Sequence, residues 1–175
     1  MTLHGSESQE TEEIEALKDD RVTVVQTHFY GTIAFKDRIT FRLDGQCISR
    51  EMIPTGPGLD TTRPIPPPRP FELLASSRAY YPDKAIKFGD EWDFKSIDTL
   101  TKTYDGEARY RYEGLDELGP NFKMHKISKK LFDLSGNRRL VSTTTVWIAQ
   151  DDGRLYKEVF EYGKDVSTML LISKS

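Results

Sequence analysis

From Arg21 onward the chain is written in short runs of Val, Thr, Ile, Tyr and Phe separated by turn residues, the grammar of antiparallel strands. Val22–Thr27 is the first such run. Gly31–Phe35 and Arg38–Leu43 flank the charged pair Lys36-Asp37 and read as a hairpin around it, and Asp44-Gly45 has the composition of a type I′ turn. Ala108–Tyr112 alternates cleanly, with Ala108, Tyr110 and Tyr112 on one face and Arg109 and Arg111 on the other. Leu140–Ile148 is apolar at both parities, which places it centrally in a sheet with cover on either side. Further turns are expected at Phe88-Gly89-Asp90, Tyr104-Asp105-Gly106, 118–121, Ser135-Gly136-Asn137, Asp151-Asp152-Gly153 and Gly163-Lys164-Asp165. The pattern predicts a single all-β domain over residues 21–175, of roughly eight to ten antiparallel strands, forming a strongly curved sheet or an incomplete barrel.

Two stretches depart from this grammar. Residues 1–20 are acidic, with Ile14 and Leu17 as their only regularly spaced apolar anchors, and read as a solvated N-terminal arm in preference to a short helix. Between residues 54 and 70 stand Pro54, Pro57, Pro64, Pro66, Pro67, Pro68 and Pro70, too many missing amide donors for a central strand, so a proline-rich loop is expected. Phe71–Arg78 then allows one or two helical turns with Phe71, Leu74 and Ala75 on one side.

Composition narrows the function more than it names it. With nine Phe, eight Tyr and two Trp among 175 residues the chain has the aromatic content of a folding protein. Its 25 Lys and Arg against 28 Asp and Glu leave a net charge of −3, which gives no electrostatic basis for holding nucleic acid. The single Cys47 excludes an internal disulfide and a cysteine-cluster zinc site. No apolar run approaches the ~20 residues of a membrane-crossing helix. The sequence as it stands opens without a charged leader and apolar core, so a cytoplasmic protein is the expectation from these residues alone.

Residues 81–92, Tyr-Pro-Asp-Lys-Ala-Ile-Lys-Phe-Gly-Asp-Glu-Trp, carry a family resemblance. They resemble the Pro-x-Lys-x-Val-Lys-x-Gly-Asp-x-Trp opening of a group of bacterial envelope β domains, mostly of unknown function, akin to the half-barrel fold of lipoprotein carriers. The similarity continues through 110–118, through Thr144–Ile148 and through Gly153-Arg154-Leu155, about half of the chain. It implies a bent antiparallel sheet whose concave side holds an apolar ligand, and a periplasmic or envelope location. It brings no catalytic residue with it.

The residues carry little recognisable chemistry. His4, His28 and His125 are scattered and form no metal-ligand spacing, so no metal and no cofactor is expected. Gly-x-Ser-x-Gly elbows, phosphate loops and dinucleotide fingerprints are all missing. Cys47 in a strand reads as a small buried apolar residue. The carboxylate pairs Asp90/Glu91 and Asp151/Asp152 fall at expected turns and are better explained as turn caps than as a glycosidase pair. Trp92, Tyr110, Tyr112, Trp147 and Phe160, with Tyr162, recur on neighbouring strands; they either line a concave apolar cavity or fill the core of the sheet. Pro64-x-x-Pro67-x-Arg69 has the spacing with which a polyproline helix meets an aromatic groove, and equally serves as a stiff connection. The expected function is therefore non-enzymatic binding of an apolar or lipid-like molecule by the aromatic set. The alternative is an accessory or scaffolding subunit that meets a protein partner through strand edges and through Pro64, Pro67 and Arg69.

Overall fold

A computed structural model describes residues 9–30, 33–53, 68–77, 79–117, 123–151 and 153–170. The all-β expectation holds: the described residues form ten strands and one short helix. The strands fall into two open antiparallel sheets, and the chain divides into two compact units, 1–68 and 69–175. This differs from the single domain over 21–175 read from the sequence.

The first unit is a four-stranded meander of β1 (Gln9–Lys18), β2 (Arg21–Tyr30), β3 (Ile33–Arg42) and β4 (Cys47–Ile53), paired in chain order. The acidic stretch expected to be a solvated arm is thus a strand from Gln9 to Lys18. Its carboxylates are carried by neighbours in the sheet. Gln26 Nε2 donates to Glu12 Oε1 at 2.7 Å, and the Arg38 guanidinium grips Glu15 through two bonds of 2.7 and 2.9 Å. Lys36 and Asp37 lie inside β3 and not at a turn, because Tyr30 pairs with Ile33 and the reversal comes earlier. Asp37 is buried there, and the Arg50 guanidinium on β4 bonds its carboxylate. At Asp44-Gly45 the turn is present, closed by the Gly45 N–H on the Arg42 carbonyl at 2.9 Å. Only Gly45 has a positive φ, 87°, which is the geometry of a glycine following the turn and not of a type I′ pair. Among the described residues of this unit, Val24, Ile39 and Cys47 are the buried apolar ones.

The second unit begins with α1 (Pro70–Ser76), followed by β5 (Glu91–Ile97), β6 (Tyr104–Glu117), β7 (Lys123–Asp133), β8 (Arg139–Ala149), β9 (Leu155–Tyr162) and β10 (Asp165–Leu170). These six strands again pair in chain order, so β5 and β10 are the edges and β7 and β8 the centre. Helix α1 lies against β5 and β6. Leu74 is buried beneath it, and Phe71 sits so close to Gly106 that a Cβ there would meet the ring at 2.5 Å. That close approach explains the glycine at Tyr104-Asp105-Gly106, which belongs to β6 and is not the turn its composition suggests. Alternation in β6 is as read, with Ala108 and Tyr110 buried and Arg109 and Arg111 exposed.

Lys129 of β7 holds the helix down. Its side chain shares the covered face with Ile127 and Leu131, and only 4% of the residue is exposed. The ammonium donates to the carbonyls of Leu74, Ala75 and Ser77. Those are the orphan acceptors at the end of α1, whose own last turn has no basic residue.

Candidate functional site

Register assigns each aromatic side chain to a face, since residues directly opposite one another in an antiparallel pair point the same way. One row crosses all six strands on the helix side: Trp92, Tyr110, Lys129, Thr144, Phe160 and Ser167. Trp92 and Tyr110 are its packed end. Their rings stack at 5.6 Å and 7°, and the indole N–H of Trp92 donates to the Tyr80 carbonyl. Tyr110 is 1% exposed, and its hydroxyl has no hydrogen-bond partner among the described residues. Burial, together with the neighbouring Tyr80 and Tyr81 phenols, pushes its pKa well above the usual tyrosine value. Tyr81 is pushed up to about 12 by burial alone.

Phe160 lies four strands from Trp92 in the same row, roughly 19 Å away at the ordinary inter-strand spacing of ~4.8 Å. It is exposed and has no share in the Trp92–Tyr110 stack. Trp147 is on the opposite face. It pairs with Lys126 and Lys157, whose ammonium groups stand 5.3 and 4.7 Å from its ring centre, and its N–H donates to Asp116 Oδ2 at 2.9 Å. That hydrogen bond holds the Asp116 carboxyl below the usual carboxylate range. The five-residue aromatic set is therefore divided among a packed core, the far side of the sheet, the reverse face, and Tyr112.

Tyr112 marks a second, shorter row on the helix side. Leu115 of β6, His125 of β7, Ile148 of β8 and Leu155 of β9 stand opposite one another in turn. Leu115 is exposed, and Ile148 and Leu155 are half-buried against the core. Tyr112 reaches along the sheet to this row, its hydroxyl 2.7 Å from His125 Nδ1 and the two rings 5.7 Å apart. Burial raises the Tyr112 pKa. A bulge between Tyr112 and Gly114 makes the row possible, because it returns Leu115 to the face of Tyr112. Gly114 has a φ of 97°, and a Cβ there would lie 2.9 Å from the ring of Phe88. The row offers apolar surface on either side of one hydrogen-bonding pair, which suits a largely apolar molecule with a polar group.

Pro64 and Pro67 lie outside the described residues. Arg69 stands at the start of α1, where its backbone N–H donates to Glu72 Oε2 and its Nε to Glu72 Oε1, both at 3.0 Å. Asp90 accepts the Lys87 N–H at 2.9 Å across the Gly89 turn, while Glu91 is exposed on the reverse face. Asp152 lies outside the described residues. Cys47 is buried, with Sγ 3.6 Å from the Ser49 carbonyl. Among the described residues no group of His, Cys, Asp and Glu is placed to hold a metal ion, and no helix is long and apolar enough to cross a membrane.

Sequence reasoning passed over His125 as part of this site and over Lys129 altogether. Parity carried the signal for Lys129: Ile127, Lys129 and Leu131 share one face, so a lysine was placed on an apolar stripe. His125 needed the long-range register, which local pattern does not contain. Comparison with known protein families, with curated proteins and with solved structures finds no match for this chain.

Proposed function

We propose that the second unit is a non-enzymatic binding module that accepts an apolar or lipid-like molecule on its helix-side sheet face. The observation that carries this is the Leu115–His125–Ile148–Leu155 row, with Tyr112 bonded to His125 beside it. Leu115 on β6 and Ile148 and Leu155 on β8 and β9 give apolar surface on either side of His125, in a row about 14 Å long at the usual strand spacing. The Tyr112–His125 pair gives its one polar anchor. The resemblance to envelope β domains of the lipoprotein-carrier type supports the same reading.

The binding energy would come from area removed from water, at ~25 cal/mol per Å² of apolar surface. A charge in the strip should therefore abolish it. A fluorescent fatty acid titrated into the protein is expected to bind saturably, and Leu115→Glu is expected to weaken it by about tenfold or more. Leu115 is exposed, so the fold, followed by far-UV circular dichroism, should be unchanged. Absence of saturable binding, or equal binding by the folded variant, would dispose of the proposal.

A further inference from the structure

Among the described residues the two open sheets have four edges, and three of them carry the charges with which proteins discourage strand addition. β1 holds Glu10, Glu12, Glu13, Glu15 and Lys18, β4 holds Arg50 and Glu51, and β5 holds Glu91, Asp93 and Lys95. β10 differs. After Asp165 it reads Val166-Ser167-Thr168-Met169-Leu170, with no charge, no proline and no register break against β9. Two of its side chains are apolar and open to solvent, Val166 at 66% and Leu170 at 56% exposure.

The spacing of these residues is self-complementary. In an antiparallel pair of two β10 strands centred on Thr168, Val166 stands opposite Leu170 of the other copy, Thr168 opposite Thr168, and Leu170 opposite Val166. All three pairs lie on the face that α1 leaves bare. Apolar and Thr–Thr cross-strand pairs are favourable, and one two-fold axis satisfies both copies. Pairing with β1 would instead set a charged side chain against Val166 or Leu170. From this we infer that β10 pairs with β10 of a second copy of this chain, joining two six-stranded sheets into one of twelve. The inference stands on the edge alone and is independent of the ligand proposed above.

Sedimentation of the intact protein over a concentration series should give a reversible dimer, twice the 20.1 kDa of the chain. Thr168→Lys sets two like charges opposite each other at the axis and should weaken the dimer about tenfold or more. Register is tested separately by oxidation. Thr168→Cys stands opposite itself, within the 4.4–6.8 Å Cα separation of a disulfide, and should cross-link. Ser167→Cys faces residue 169 and should not. A monomer at every concentration, an unaffected Thr168→Lys dimer, or equal cross-linking at 167 and 168 would overturn the inference.

Discussion

Lys129 shows most directly how one side chain ties two elements together. Burying an ammonium is costly, and the cost is met here by three carbonyl acceptors at the end of α1. Lys129→Met keeps the apolar stem but leaves those carbonyls without their donor. The variant is expected to lose about 2–4 kcal/mol in urea unfolding, while Lys130→Met, on the exposed parity, should change stability by less than about 0.5 kcal/mol. Equal effects at the two positions would mean that the helix is held by Leu74 and Phe71 alone. Glu107 is a buried carboxylate held in the same way by its partners. It is 4% exposed on the reverse face, and burial alone would raise its pKa. The hydrogen bonds from Arg109 at 2.7 Å and Arg138 at 3.0 Å outweigh burial and hold the carboxyl below its ordinary 4.5. A depressed carboxylate contributes stability that is present above the unfolded value and lost as pH falls through the folded one. Glu107→Gln should therefore be less stable than the parent by about 1–2 kcal/mol at neutral pH, with the gap closing below about pH 4.5. A gap independent of pH would remove the ion pairs as its cause.

At the scale of elements, close packing of α1 on β6 leaves room at position 106 for hydrogen and nothing more. Gly106→Ala would press a methyl group into Phe71 at 2.5 Å and Ser96 Oγ at 2.7 Å. A loss of about 1–3 kcal/mol is expected, and a double-mutant cycle with Phe71→Leu should recover part of it. Full additivity of the two changes would show that helix and strand do not meet there. Gly106 also illustrates what local pattern could and could not convey. Strand identity, the alternation of Ala108 to Tyr112, the interior place of Leu140–Ile148 and the Gly89, Gly136, Gly153 and Gly163 connections follow from short-range composition, and the structure has them. Lys36-Asp37 and Asp105-Gly106 look like turns in the sequence because charge and glycine usually signal exposure. Both are strand residues whose reasons are distant in sequence, Arg50 for Asp37 and Phe71 for Gly106. β1 was hidden for the same reason, since its glutamates are tolerated through Gln26 and Arg38. The aromatic set was legible as strand residues but not as a site, because the face of Trp147 and the distance of Phe160 depend on the register of six strands.

For the whole molecule, the division at Pro68 and Arg69 has an optical signature. Both tryptophans, Trp92 and Trp147, belong to the second unit, one inside its core and one on its reverse face. Among the described residues the first unit buries the apolar Val24, Ile39 and Cys47, fewer than the second, together with the polar Gln26 and Asp37. Small cores with buried polar groups are the less stable kind, because little apolar area offsets chain entropy. Tryptophan fluorescence should accordingly report a later unfolding transition in urea than far-UV circular dichroism, which sees strands of both units. A fragment beginning at Arg69 should keep the fluorescence transition of the intact chain, since the hydrophobic cluster from Leu74 to Leu155 lies wholly within it. Coincident curves from the two probes, with a fragment that no longer folds, would show that the two sheets form one cooperative unit and that the boundary has no energetic meaning.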